Sequence, residues 1–461
     1  MPGSKSRVTR TLSVATAAAL ALPALASASV GREGDTAFSG PTVFGVPVDF
    51  ILFGLTLLGV ALFHHRTLQV ALTGLTVITI YKLIFSPFAA GAGLAGLVGH
   101  LHHEWVIVVN LFCLLMGFGV LAKHFEDSQV PRVLPRYLPD DWKGAFVLLV
   151  MVFVLSSFLD NIAAALIGGA MAHTVFNKKV HIGYLAAIVA ASNAGGSGSV
   201  VGDTTTTMMW INHVAPSAVF HAYAAATVAL VVCGIPASLQ QHKHSPILRD
   251  APAGTRVDWA RVLVVGLTLA AAILVNVFIN VRHPHLSDVF PFIGVAVVAT
   301  LLVLVPLRKP DWSLLPGSFK GSIFLLSLVL SATMMPVDEL PGASWHTAFG
   351  LGFLSAVFDN IPLTALALEQ GGYDWGMLAY TVGFGGSMIW FGSSAGVAIS
   401  NMYPEAKSAA SWVRNGWHVT LAYVLGFFVL LATLGWRPTP EGLIEGDVAG
   451  TAPVAVTAPA N

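Results

Sequence analysis

The chain is poor in charge. Lysine, arginine, aspartate and glutamate make up 10% of its 461 residues, where an ordinary soluble domain carries about 25%. That deficit excludes a mostly water-facing surface and leaves lipid as the main partner. Basic and acidic residues balance at 23 each, so there is no net charge to attract nucleic acid or an acidic partner. Cysteine is nearly missing: Cys113 and Cys233 both lie in apolar runs. This excludes a disulfide framework or thiolate metal cluster and reads as two small core residues. No nucleotide-binding loop, nucleophile–base pair or metal-ligand spacing is present, so neither an enzyme nor a bound cofactor is expected.

What the chain has is apolar length: 55% of it is hydrophobic. Residues 1–28 read as a signal peptide, with Lys5, Arg7 and Arg10, an Ala/Leu-rich stretch, and Ala26-Ser27-Ala28 as a cleavage site. An uncleaved extra helix is the alternative. Either reading suggests a bacterial cytoplasmic (inner) membrane, with a short lead-in (29–42) outside. A membrane helix needs about 20 mostly apolar residues. Plain candidates lie near 43–63, 67–87, 105–122, 217–238, 259–280, 289–307, 321–337 and 415–435. Four further stretches, 143–176, 182–212, 348–369 and 376–402, are interrupted by glycines or polar residues. Irregular backbone at membrane depth survives only where protein or a water cavity surrounds it. These four are therefore the expected transport site.

Basic residues orient the chain. If 43–63 runs outside to inside and 143–176 and 348–369 are hairpins that re-enter from one side, the cytoplasmic face collects Arg66, Lys123, Arg132, Arg136, Lys143, Lys178, Lys179, Lys243, Arg249, Arg256, Arg261, Arg308, Lys309, Lys320, Lys407 and Arg414. The other face keeps Arg32, Arg282, Arg437 and Lys82. The positive-inside rule predicts such an asymmetry.

The halves repeat one another. Ser156-Ser157-Phe158-Leu159-Asp160-Asn161-Ile162 matches Ser355-Ala356-Val357-Phe358-Asp359-Asn360-Ile361. Gly195-Gly196-Ser197 and Gly202-Asp203-Thr204 match Gly385-Gly386-Ser387 and Gly392-Ser393-Ser394 at identical spacing. With hairpins, each half crosses an odd number of times, so the second is inverted relative to the first. The expected fold is an all-α polytopic membrane protein with two inverted repeats, each carrying a re-entrant helical hairpin and a broken transmembrane helix. Repeat 1 is 43–240, a cytoplasmic linker is 241–258, repeat 2 is 259–436, and 437–461 is a disordered tail.

A carboxylate at membrane depth costs at least about 2.5–3.5 kcal/mol, so Asp160, Asp203 and Asp359 are the first candidates for a Na+ site. A buried acid held by helix-end hydrogen bonds is the bland alternative. Asn161 and Asn360 can hold the hairpin tip or offer a carbonyl oxygen to a cation. Ser157, Asn193, Gly196, Ser197, Thr204 and Thr205 complete the set in repeat 1, and Gly386, Ser387, Ser393 and Ser394 in repeat 2. The glycines break helices and bare carbonyls, hard oxygen ligands for a small cation. Thr206 and Thr207 are expected to satisfy backbone instead. No Lys or Arg falls inside the four interrupted cores. A proton and a small cation are then rival ways to neutralise the same carboxylates, the minimum requirement for cation/proton exchange. His100, His102, His103 and Glu104 are expected as a solvated cluster preceding a helix, His242 and His244 in a loop, and Asp49 and Lys82 snorkelling near helix ends.

Together, the Phe-x-Asp-Asn hairpin motif, Ala194-Gly195-Gly196, Gly202-Asp203-Thr204-Thr205-Thr206, Asp359-Asn360-Ile361-Pro362 and the Gly385–Val397 run resemble the NhaD-type sodium/proton antiporters of the wider ion-transporter superfamily, over roughly 43–435. The resemblance implies a scaffold and a transport domain, a homodimer, an elevator motion, and roles for Asp160, Asp203 and Asp359 in cation binding and pH response. Ala163-Ala164-Ala165 and Gly198-Ser199-Val200-Val201 depart from the family's usual residues. Exchange of Na+ (or Li+) for H+ is the expected activity. Sodium- or proton-coupled uptake of a citrate-like di- or tricarboxylate, as in sister families, is the alternative. Two hairpin aspartates would repel such a substrate.

Overall fold

A computed structural model describes residues 40–63, 66–133, 138–247, 256–283, 286 and 289–438. The expected signal peptide, most of the lead-in, part of the linker and the tail from 439 lie outside the described residues. The regular structure is helical apart from one ribbon, β1 (Thr42–Val43) and β2 (Val46–Pro47), closed by Phe44 and Gly45 at φ 53° and 80°. Positive φ at both central residues is what a tight two-residue hairpin needs.

Short helical turns such as Val130–Val133, Pro216–Phe220 and Ala409–Asn415 aside, the helices in chain order are α1 (Val48–Leu62), α2 (Thr67–Phe85), α3 (Gly93–Asp127), α4 (Trp142–Ser156), α5 (Asn161–Val175), α6 (Ile182–Ser197), α7 (Thr204–Ile211) and α8 (Ala222–His244). There follow α9 (Trp259–Arg282), α10 (Phe292–Val303), α11 (Leu315–Thr333), α12 (Trp345–Ser355), α13 (Asn360–Gln370), α14 (Trp375–Gly385), α15 (Ser394–Met402) and α16 (Trp417–Leu434). Six helical segments are long and apolar enough to cross a membrane: Thr67–Phe85, Gly93–Asp127, Pro216–His244, Trp259–Ile279, Trp312–Thr333 and Trp417–Leu434.

The interrupted stretches break where the motifs lie, at 157–160, 198–203, 356–359 and 386–393. Each break creates new helix ends, whose amides need acceptors. The sequence supplies them as N-caps: Asp160 for α5, Asp203 for α7, Asp359 for α13 and Ser393 for α15. At 15 residues each, α4 and α5 are about 22 Å long. They contact one another, and α12 meets α13 across the second such break.

Packing sorts the helices into two groups. In the first, α2 joins α1 to α11, and α3 contacts α9, α10 and α11. In the second, α6 is central, against α4, α5, α8 and α14, while α8 packs on α16 and α12 on α14. The groups meet where α11 lies on α13 and α3 on α7. Charge pairs tie the first group at one end: Arg308 Nε to Asp258 (2.7 Å) and Arg261 to Asp127 (3.5 Å). Asp258 also caps α9, and its hydrogen bond from Arg308 holds its carboxyl below the ordinary range.

Three local expectations are corrected. Asp49 and Lys82 do not snorkel; they are 0% and 3% exposed and form an ion pair at 3.3 Å between α1 and α2, with Lys82 over the Phe88 ring. His100 to Glu104 do not precede a helix, because α3 begins at Gly93 and takes them in. Helical geometry then splits the cluster: His100 and Glu104, four apart, are buried, while His102 and His103 are exposed. His242 and His244 sit on the last turn of α8, not in a loop.

If α4–α5 and α12–α13 each return to the face they started from, cysteines at Glu126 and Lys243, in a Cys113→Ala/Cys233→Ala background, will react with an impermeant maleimide from one face of the membrane and a cysteine at Ala90 from the other. Labelling of positions 243 and 90 from the same face would refute that path.

Candidate functional site

The breaks do not merely interrupt helices; they touch one another. Within the first half, Ser199 Oγ donates to the Ser157 carbonyl (2.7 Å), and Ser157 Oγ donates to the Gly195 carbonyl (3.1 Å). A methyl on Gly195 would overlap the Phe153 carbonyl, and one on Gly202 the Ser156 carbonyl. The second half repeats the scheme, with Gly385 against the Gly352 carbonyl and Gly392 against that of Ala356. In each half the first glycine therefore allows a half-helix to cross its neighbour at backbone contact. Gly196 and Gly386 fill matching places, each close to the carbonyl of the glycine six residues on, Gly202 or Gly392.

The capping residues match as well. Asp160 has φ −50°, ψ 140° and accepts from the Ile162 amide; Asp359 has φ −56°, ψ 143° and accepts from the Ile361 amide. Asp203 (φ −144°, ψ 145°) caps α7 through the Thr205 amide, and Ser393 (φ −143°, ψ 153°) caps α15 through the Gly396 amide. The bland reading of the aspartates as helix caps is thus correct in its geometry, but it accounts for only one bond to each acid from the backbone. The positive end of a helix dipole stabilises each carboxylate without consuming its charge.

The halves join through amide side chains. Asn193 accepts from Asn161 Nδ2 (3.0 Å) and donates to Ser387 Oγ (2.9 Å) and Ser393 Oγ (3.2 Å). Asn360 Nδ2 approaches Asp203 Oδ2 at 3.5 Å, and Ser394 Oγ donates to Asp359 Oδ2 at 3.0 Å. Asp160 and Asp359 both lie within electrostatic reach of Asp203. Asp203 is buried, the other two are half-buried, and among the described residues none of the three forms a salt bridge. Asn161 and Asn360 each spend an amide hydrogen on a neighbour, and the carbonyl oxygen of such a side chain remains an acceptor.

The remaining residues divide. Thr205 is fully buried, and its hydroxyl has no hydrogen-bond partner among the described residues. Thr204, buried next to Asp203, does not copy the bond that Ser394 makes to Asp359. Ser197 turns back to the Ala194 carbonyl (2.9 Å). Thr206 and Thr207 both donate to the Asp203 carbonyl, at 2.9 and 2.8 Å, the backbone role expected of them. Sequence reasoning missed two supports. Tyr223 on α8 donates to the Gly195 carbonyl (3.2 Å) with its ring over Gly198, and Trp412 donates to the Ser387 carbonyl (3.1 Å). Only a tyrosine inside the apolar run of α8 hinted at the first.

Carboxylates, amide oxygens and hydroxyls gathered at helix ends, inside a chain with six membrane-length apolar helices, define a polytopic membrane protein with a polar interior built from broken helices. Comparison with known proteins gives that class names. The chain is 25% identical to sodium/proton antiporter 1 of Arabidopsis thaliana, over 64% of this chain and 54% of the relative. It is 27% identical to the Na+/H+ antiporter NhaD of Vibrio parahaemolyticus (54% of this chain, 71% of the relative) and 22% identical to that of Halomonas elongata (61% and 66%). The chain thus spans about half the length of the plant relative and about two thirds of the bacterial ones. The resemblance read from the motifs is borne out by these similarities. No protein-family model matches the chain.

The backbone crossings give a direct test. Gly195→Ala and Gly385→Ala should each lower the melting temperature of the purified protein, corresponding to about 1–3 kcal/mol of overpacking. Gly350→Ala, which meets nothing within 4 Å, should not. Equal melting of all three would mean the crossings are looser than drawn.

Proposed function

We propose that the chain exchanges Na+ (or Li+) for H+ across a bacterial cytoplasmic membrane. The observation that carries this is the placement of Asp160, Asp203 and Asp359 at capped helix ends, Asp203 within electrostatic reach of the other two and none of the three in a salt bridge among the described residues. A proton or a small hard cation can neutralise such a group, and each excludes the other. Asp203 with Asn360, Thr205 and the Asp160 and Asp359 carboxylates would hold the cation as transported substrate, with Asn161, Asn193, Ser387, Ser393 and Ser394 keeping the two halves in register. The names of the antiporter relatives support the same reading. Uptake of a di- or tricarboxylate is not favoured, since a substrate carboxylate would face the same acids.

In this reading the halves are inverted repeats and α4–α5 and α12–α13 are re-entrant hairpins. The group centred on α6 is the transport body, and the group around α3 is the scaffold that pairs in a homodimer. Transport is an elevator displacement of one group against the other. The matched caps and glycine crossings support the repeat, and the two packed groups support the division.

The test is a pH-gradient assay in proteoliposomes. Na+ or Li+ should collapse the gradient and citrate should not. Asp160→Asn and Asp359→Asn should each reduce exchange at least about tenfold, a loss of about 1.4 kcal/mol, with the protein still folded in the membrane. Wild-type rates in both variants would remove these carboxylates from the mechanism.

A further inference from the structure

The matched breaks differ at three positions, and the differences fall in one place. Asn193 stands ten residues before Asp203; the same register in the second half holds Gly383 and Ser393, and Thr205 is matched by Ala395. Asn193 reaches out of its own half. Its oxygen accepts from Asn161 Nδ2 (3.0 Å), and its Nδ2 donates to Ser387 Oγ and Ser393 Oγ at 2.9 and 3.2 Å. The matched relay would start at Asn360, pass through a side chain at 383 and end on Ser197 and Asp203. The backbone keeps to that plan. A β-carbon on Gly383 would lie 3.4 Å from Asp203 Oδ2 and 3.5 Å from Ser197 Cβ, and these two residues are the counterparts of Ser393 and Ser387. Glycine supplies no side chain to complete the relay. Asn360 Nδ2 instead meets Asp203 Oδ2 itself, at 3.5 Å, longer than an ordinary N–H···O bond.

The backbone does not ask for glycine at 383. The residue lies inside α14, its φ is not positive, and a β-carbon there would make only ordinary van der Waals contacts. At Gly385 and Gly386, by contrast, a β-carbon would collide with the carbonyls of Gly352 and Gly392. A glycine inside a helix costs about 0.5–1 kcal/mol relative to alanine. What it provides at 383 is room beside Asp203. Polar groups stand around that carboxylate: Asn360 on one oxygen, and on the other the amide of Thr205, whose fully buried hydroxyl has no hydrogen-bond partner among the described residues. The second half has neither the charge nor this hydroxyl, since Ser393 and Ala395 take the places of Asp203 and Thr205.

We propose that Asn193 and Gly383 make the two halves unequal as hosts for a cation. The Asn193 amide occupies in the second half the position that a small cation takes in the first, and Gly383 keeps that position open beside Asp203. One chain then carries one Na+ at a time, and residue 383 sets the size of the ion it accepts. This rests on the exchange reading above and gives it a stoichiometry and a size limit. The chemistry fits each side. Two serine hydroxyls are neutral, and the N–H donors of an amide satisfy them. A carboxylate with a spare hydroxyl and amide nearby offers the hard oxygen that a small cation prefers.

The test combines binding, transport and melting on the purified full-length protein. The wild-type protein should bind one radiolabelled Na+ per chain. Gly383→Ala adds a single methyl group and should melt no lower than wild type. In proteoliposomes it should raise the KM for Na+ about tenfold, raise that for the smaller Li+ by less, and leave kcat unchanged. Gly383→Asn supplies Asp203 with the amide that Asn193 gives to Ser393, and should abolish saturable Na+ binding. Wild-type KM values for Na+ in both variants, or two Na+ bound per chain in the unaltered protein, would overturn the inference and leave exchange standing. So would a Gly383→Ala protein that melts well below wild type, or that loses kcat equally for both ions at constant KM, since glycine would then serve the fold. A wild-type protein that exchanges no cation would overturn the exchange reading, and this inference with it.

Discussion

Everything in this molecule follows from how an interrupted helix satisfies its ends inside a chain that is mostly apolar. Each break exposes amides that neither lipid nor hydrophobic side chains can bond. Four polar side chains meet that need, three of them acids. The acids are therefore fixed in direction by the backbone they cap, and each retains oxygen for something else. Structure and chemistry share one group of atoms: the requirement that closes the helix end also delivers a carboxylate, already oriented, to the middle of the protein.

The two halves solve the problem by the same means but not with the same residues. Asp203 and Ser393 occupy equivalent caps with nearly equal dihedrals, yet one carries a charge and the other a hydroxyl. Asn193 uses that difference, bonding to Ser387 and Ser393 in the second half and to Asn161 in the first. A symmetric pair of acids at both positions would leave Asn193 with different partners and add a fourth negative charge. The departure from symmetry at this point sets the charge of the interior.

Much of this was legible in the sequence because it rests on local chemistry. Glycine pairs and Asp-Asn motifs announce a broken helix wherever they interrupt an apolar run, and all four breaks fall there. The repeated order of motifs gave the matched halves, and absence of nearby lysine or arginine gave an unpaired site. What could not be read is what depends on distant partners. Asp49 and Lys82 are 33 residues apart and look like two separate helix-end charges until α1 and α2 are laid together. The start of α3 was hidden because His100 to Glu104 resemble a polar loop, and only the helix itself divides them into a buried and an exposed pair. Tyr223 supports the site from a helix that reads as a plain membrane span, and Trp412 from the short helix Ala409–Asn415 that precedes one.

The Asp49–Lys82 pair has a bearing on how the chain resides in lipid. Each residue alone would impose up to about 2.5–3.5 kcal/mol on the helix that carries it in lipid. Together, at 3.3 Å and sealed from water, each neutralises the other. Each of α1 and α2 then carries a charge whose cost in lipid the other offsets, although both are apolar. The pair therefore favours a bilayer state in which the two helices lie side by side over one in which either is alone in lipid. This helical pair is thus bound by one acid and one base that are tolerable in a bilayer only in each other's company.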